Sequence, residues 1–149
     1  MTEFPVEVRD RFAGAGMDLD ELFSAGELGA RMGVDVLEAA PERIVARMPV
    51  EGNRQPYGLL HGGASAVLAE TLGSIGAMLH AGPTKIAVGV DLNVTHHRAV
   101  RSGAVTGVAV PIHRGRSTAT YEIVVSDDDG RRVCTGRLTC LIRDAPTQR

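Results

Sequence analysis

Between Gln55 and Leu79 the chain reads QPYGLLHGGASAVLAETLGSIGAML, and apolar residues recur there every three or four positions at Ala64, Leu68, Leu72, Ile75 and Leu79. Val67, Thr71 and Met78 lie beside them, so the apolar surface covers most of the circumference, and the predicted helix belongs inside a core, enclosed on nearly all sides. Pro56 and Gly58 favour a turn before it, Gly62 and Gly63 let backbone or ligand approach its first turn, and Ala81, Gly82 and Pro83 suit its end. One acid interrupts the pattern. Glu70 shares an i, i+4, i+8 stripe with Ala66 and Ser74, with Gly73 close by, which predicts a close neighbour for that carboxylate.

Beyond the helix the period changes to two. Ile86, Val88, Val90, Leu92 and Val94 alternate with Ala87, Gly89, Asp91, Asn93 and Thr95, a strand signal without interruption. RSG at 101–103, HRGR at 113–116 and DDDG at 127–130 separate three further extended runs, Ala104 to Ile112, Ser117 to Val125 and Arg131 to Ile142, and the short links predict antiparallel neighbours. Before the helix, Val34 and Val36, then Ile44, Ala46 and Met48, alternate about a turn at Pro41 and predict a hairpin that Pro49 ends; a loop from Val50 to Leu60 follows. Asp18 to Gly33 reads as a short helix with Asp18 as its cap and an apolar side at Leu19, Leu22, Phe23 and Leu28, weakened by Gly26. Residues 1–16 show no periodicity and are expected to lie loosely on the surface. The division that follows is an N-terminal segment 1–32 with a short helix, one domain over 33–143 and a tail 144–149.

Composition narrows the classes. One domain of 149 residues buries about 68–70% of its unfolded surface without metals or disulfides. A net charge of −2 gives no basic field for nucleic acid or an anionic membrane, and 3% aromatic residues with no Trp give no base-stacking platform. The amino terminus carries no apolar run of the signal-peptide kind, and the central apolar stretch, broken by Glu70 and glycines, falls short of the about 20 residues a membrane span needs, so a cytoplasmic location is expected. Cys134 and Cys140 share one extended run about 20 Å apart at about 3.3 Å per residue, too far to bridge, and read as buried thiols.

The candidate chemistry begins at the central helix. Its first free N–H groups and positive dipole end, at Gly62 and Gly63, would favour negative charge developing on a carbonyl oxygen, and Glu70 supplies an acid or base two turns on. Each residue has a plainer reading. An isolated Glu in a helix commonly faces solvent, His61 can simply close the turn onto backbone, and Ser74 can be a small residue at a close contact. A second set is basic: His96, His97, Arg98 and Arg101, then His113, Arg114 and Arg116, either solvated or holding an anion. If the strands flanking residues 101–103 are antiparallel neighbours, these two basic sets need not meet within one chain. Adjacent His96 and His97 face opposite sides of a strand with no Cys or carboxylate at ligand spacing, so no metal is predicted.

The string QPYGLLHGGASAVLAETLGSIGA resembles the signature of the hotdog-fold acyl-CoA thioesterases of the 4-hydroxybenzoyl-CoA type with a helix glutamate, from about Gly33 to Arg143. That group includes phenylacetate-pathway thioesterases and the 1,4-dihydroxy-2-naphthoyl-CoA hydrolases of menaquinone synthesis. The resemblance implies an α+β fold in which a curved antiparallel sheet wraps one long central helix, and a homodimer or homotetramer with sites between subunits. It implies Glu70 as the catalytic carboxylate, Gly62 as N–H donor to the thioester oxygen, Gln55 and His61 as groups fixing that oxygen or the leaving sulfur, and Ser74 as a holder of water. It places acyl-CoA contacts at Gly89, at His96, His97, Arg98 and Ala99, and at His113, Arg114, Gly115, Arg116, Ser117 and Thr118. His97 and Arg114 depart from the pattern, where an apolar residue and less charge are usual. No cofactor is implied beyond the CoA of the substrate itself. The competing expectations are a hotdog hydratase or dehydratase, for which no His–Asp pair is evident, and a noncatalytic acyl-CoA sensor.

Overall fold

A computed structural model of the chain describes residues 1–22 and 26–146. The elements run α1 (Val6–Ala13), α2 (Leu19–Leu22), α3 (Gly26–Met32), β1 (Asp35–Ala40), β2 (Arg43–Pro49), α4 (Gly62–Ala81), β3 (Lys85–His96), β4 (Ala104–Arg114), β5 (Thr118–Asp127) and β6 (Arg132–Asp144). All six strands form one antiparallel sheet in the order β1-β2-β4-β5-β6-β3, and its inner face wraps α4, which is the hotdog arrangement. The β1–β2 hairpin closes at Ala40 and Arg43, across the turn expected at Pro41.

The apolar stripe of α4 explains the wrap. Leu68, Leu72 and Leu79 are fully buried against Ile44, Met48, Tyr121, Ile123 and Leu138 of the sheet, and each such side chain contributes about 1.5–3 kcal/mol by leaving water. Among the described residues α4 is the one helix long and apolar enough to cross a membrane, but its apolar run serves this core. The close approach comes at Gly73, against Leu138, and at Gly76, where an added Cβ would lie 2.5 Å from the Tyr121 ring and 2.7 Å from Ile44 Cδ1. Both neighbours of Gly76 are fully buried and cannot retreat. Gly76→Ala is therefore expected to lose about 1–3 kcal/mol to overpacking against the about 1 kcal/mol gained in helix propensity. A urea titration should show a lower midpoint with an unchanged slope.

Several expectations need correction. The helix is not enclosed on nearly all sides: Ala66, Val67, Glu70, Thr71, Ser74, Ile75 and Met78 form a half-covered face turned away from the deepest core. β3 does not neighbour β4 but pairs with β6 at the sheet edge, because residues 97–103 form a crossing segment of seven residues and not a hairpin turn. At about 3.3 Å per residue that segment spans three inter-strand spacings of about 4.8 Å with room to spare. Within β3 the period of two breaks at a bulge between Gly89 and Asp91, so Ala87, Gly89, Leu92 and Val94 face inward while Ile86 and Val88 face out.

The amino-terminal segment is also ordered. Glu3 exchanges backbone hydrogen bonds with Leu37 and Ala39, and α1 buries Val8 and Phe12 one helical turn apart. The helix expected from Asp18 to Gly33 is two short ones, with Gly26 at φ +65 opening the second and Phe23 outside the described residues. Asp18 does cap its start, accepting from Asp20 N at 2.8 Å, and Gly33 at φ +69 follows its end. Leu19 is buried, but Leu22 and Leu28 stand exposed. Cys134 and Cys140 are both free and buried.

Candidate active site

Glu70 projects from the half-covered face of α4 toward the inner side of β3 at Gly89. A methyl group at Gly89 would overlap the carboxylate oxygen, so the bare Cα makes the notch in which the acid sits. Cys140 pairs with Gly89 across β3 and β6, and burial, then the charge of Glu70, push its thiol up to about 11 while the Ser74 hydroxyl opposes the shift. The wall behind Glu70 is therefore a neutral thiol at neutral pH. Among the described residues nothing donates a hydrogen bond to the Glu70 carboxylate or pairs with it. A half-buried carboxylate with no committed partner is free to take a proton or attack an electrophile. Gly89→Ala should push it out of place and lower kcat by about a hundredfold, since misplacement by about 1 Å costs that much. Steady-state kinetics beside a thermal melt would separate this from unfolding.

The helix entrance is a second centre. His61 is the N-cap of α4 at φ −66, ψ 130, and its Nδ1 accepts from Gly63 N at 2.8 Å. In the neutral ring this puts the proton on Nε2, which is exposed and can donate. His61 thus does close the turn onto backbone and still presents a donor. The Gly62 N–H finds no acceptor among the described residues, leaving it aimed outward at the positive end of the helix dipole. A cleft of about 370 Å³ opens there, lined by Gln55, Gly62, Ser65 and the segment His96 to Ala99. The His96 ring lies against Gly62, where a Cβ would be 2.7 Å from its Nε2. His97, also on the cleft wall, meets the Thr135 hydroxyl at 2.9 Å.

The third centre lies at the other end of α4. His80 Nε2 contacts the Gly115 carbonyl at 2.8 Å, Gly115 N donates to the Thr118 carbonyl, and Ile142 N donates to that of Ser117, which fixes the turn from His113 to Thr118. Arg114 donates to Glu42 at 2.6 Å and holds that carboxyl below its usual range, so its fork is partly committed. Arg116 has no such partner among the described residues and lines a cleft with Arg11 and Lys85. Along a helix of 20 residues the two basic sets lie about 28 Å apart at about 1.5 Å per residue, so one protomer does not join them. Among the described residues no group of three or more His, Cys, Asp or Glu gathers at metal-binding distance.

A family model described as "Thioesterase superfamily" matches residues 57–134, a span that begins in the turn before α4 and ends in β6. The chain belongs to the thioesterase superfamily. It is 53% identical over 116 residues to a "Putative esterase" of Deinococcus radiodurans, covering 77% of this chain and 73% of that one. It is 44% identical over 120 residues to the "Proofreading thioesterase EntH" of Cronobacter turicensis, covering 80% and 88%. A solved thioesterase of Haemophilus influenzae superposes with a TM-score of 0.80 at 34% identity, over 95% of this chain and 92% of that one. The protein is accordingly a thioester hydrolase.

Within this thioesterase, the residues that hold the site in place were partly invisible in the sequence. Asn53 is buried, its side-chain nitrogen donating to the Met32 and Pro49 carbonyls at 2.8 Å each, and its own carbonyl accepts from His61 N. It anchors the loop carrying Gln55, whose side-chain oxygen accepts from Tyr57 N. The sole mark of Asn53 in the sequence is its place beside Gly52 in a turn. Cys140 behind Glu70 was readable as buried, but its pairing with β3 was not.

Proposed function

We propose that this thioesterase hydrolyses aromatic or medium-length acyl-CoA thioesters, and that each catalytic site joins two protomers of a dimer. The observation that carries the reading is a separation. Gly62 and Glu70 sit on one helix eight residues, about 12 Å, apart, too far to act on one carbonyl from the same protomer. An antiparallel pair of protomers would set the Gly62 end of one α4 beside Glu70 of the other. The free edge of β3 supports such pairing: among the described residues its twelve residues lack a neighbouring strand on one side, with Ile86, Val88 and Val90 exposed at 40%, 45% and 54%. A tetramer of two such pairs would cover the exposed Val110 and Ile112.

In this arrangement the Gly62 N–H polarises the thioester carbonyl and His61 Nε2–H and Gln55 orient the oxygen or the sulfur. Glu70 from the other protomer either takes a proton from a water that attacks the carbonyl carbon, with Ser74 beside it, or attacks that carbon itself before water releases it. Either way the C–S bond breaks, the acyl group leaves as the acid and the sulfur leaves with a proton as CoA thiol. The same pairing would bring His96 to Ala99 of one protomer toward His113 to Thr118 of the other. Arg116, uncommitted, is the stronger phosphate ligand of that set, and Gly89 serves the substrate by making room for Glu70. The word "proofreading" in the name of the Cronobacter relative favours clearing of unwanted thioesters over the menaquinone-forming role of the naphthoyl-CoA hydrolases.

The test is free-thiol release from a panel of benzoyl-, hydroxybenzoyl-, phenylacetyl-, dihydroxynaphthoyl-, octanoyl- and acetyl-CoA. The reading expects the aromatic and octanoyl esters to exceed acetyl-CoA in kcat/KM. Binding of these esters without thiol release, or hydration of an enoyl-CoA in its place, would overturn it.

A further inference from the structure

A cavity of about 440 Å³ lies between the half-covered face of α4, the start of β3 and the amino-terminal segment. Its near wall lies one helical turn from Glu70, the proposed catalytic carboxylate. Ser74, on its wall, follows Glu70 by one helical turn, and Ala87, also on its wall, precedes Gly89 by two residues on the same inner face of β3. Ile75 and Met78 continue the wall along α4, and at the far end it is closed by Phe12, Met17 and Leu22. Apart from Ser74 and Lys85 the side chains lining it carry no polar group. Such a space takes a neutral carbon chain or ring and excludes a charged one.

The far wall is not a loose end of chain resting there. Thr2 Oγ1 donates to the Val36 carbonyl at 2.8 Å, and Arg9 pairs with Asp20 at 2.8 Å to tie α1 to α2. Arg11 donates to the carbonyls of Leu79, His80 and Ala81, the free acceptors at the end of α4. Phe12 and Leu19 are each 2% exposed and act as the pegs of this segment, whereas Met17 and Leu22, between and beyond the pegs, remain 36% and 51% exposed. Two large apolar side chains are thus held by a docked segment at the end of an apolar cavity whose near wall, at Ser74 and Ala87, lies one helical turn from Glu70. They are the surface an acyl tail would cover.

We propose that the amino-terminal arm, residues 4–22, is the specificity wall of the acyl chamber, and that Met17 and Leu22 set how long an uncharged acyl group the enzyme accepts. The inference rests on the assignment of Glu70 as the group that works on an acyl thioester. Given that assignment, the acyl group must leave the carboxylate along Ser74 and Ala87, and the arm is what it meets.

The experiment compares kcat/KM for straight-chain acyl-CoAs from acetyl to dodecanoyl in the full-length protein and in Met17→Trp, Leu22→Trp and the double variant Met17→Ala with Leu22→Ala. Dissociation constants of ethyl-CoA and decyl-CoA thioethers, which cannot be hydrolysed, are measured beside them. The Trp variants should lose about tenfold or more at the long end with butyryl-CoA within about twofold, and the double Ala variant should move the optimum to longer chains. Weaker decyl-CoA binding in the Trp variants with ethyl-CoA unchanged should accompany this. A profile that keeps its shape in all three variants, or falls equally at every length, overturns the proposal; so does a change in sedimentation with no change in profile, which would make this wall a protomer contact. If the unaltered protein neither releases thiol nor binds either thioether, the acyl-CoA reading itself falls, a result distinct from an active enzyme with an unmoved profile.

Discussion

Glu70→Gln should lower kcat by about a thousandfold, the middle of the range for a positioned acid or base, with little change in KM. The amide keeps the shape of the side chain and removes only its capacity to take a proton or attack carbon. Nothing among the described residues binds the carboxylate, so the substitution breaks no internal hydrogen bond, and stability should stay within about 0.5 kcal/mol. Free-thiol release, run beside a chemical unfolding curve, reads both quantities. A variant that retains turnover would remove Glu70 from the chemistry.

Gly62→Pro should lower kcat by about 10² to 10³, the cost of losing one oxyanion donor, about 2.7–4 kcal/mol. The site is unusually suited to this change. Gly62 is the first residue of α4, where proline is well tolerated, and among the described residues its N–H holds nothing. His61 before it, at φ −66 and ψ 130, already has the extended backbone that a residue preceding proline requires. The new ring meets the tip of the His96 side chain, which is exposed and can swing. Gly62→Ala brings the same Cβ but keeps the N–H, so it should lose less than about tenfold; equal losses in the two variants would assign the effect to the clash with His96 and not to the missing donor.

How much of this was legible depends on the range of each interaction. The helix from Gly62 to Ala81 and the hairpin about Pro41 are written in local periodicity and turn residues, and both stand where the sequence puts them. The likeness of Gln55 to Ala77 to a thioesterase signature likewise named the family. The position of β3 was hidden because pairing with β6 joins residues some 50 apart, and the bulge that swaps the faces of β3 at Val90 leaves no mark on a perfect alternation. α1 offers just two apolar residues at helical spacing, Val8 and Phe12, and becomes a secure helix through packing and through Arg11 at the far end of α4. For the same reason the cavity wall at Met17 and Leu22 could not be read, since exposed apolar residues in a short polar segment look the same whether or not a cavity opens beneath them. The notch at Gly89 belongs to this group: a glycine within a strand signals a close approach, and the structure identifies the visitor as Glu70.

The placement of Glu70 and Gly62 on one helix lets a subunit-mixing experiment test the proposed shared site. Glu70→Gln and Gly62→Pro, each nearly inactive alone, are mixed in equal amounts, unfolded and refolded together, and assayed for free-thiol release. If each site takes its carboxylate from one protomer and its N–H from the other, a mixed dimer holds one site with both defects and one with neither. Random pairing makes half the dimers mixed, so activity should return to about a quarter of the unaltered protein's. No recovery above the two parents, with mixed dimers shown to have formed, would contradict a site built from two protomers.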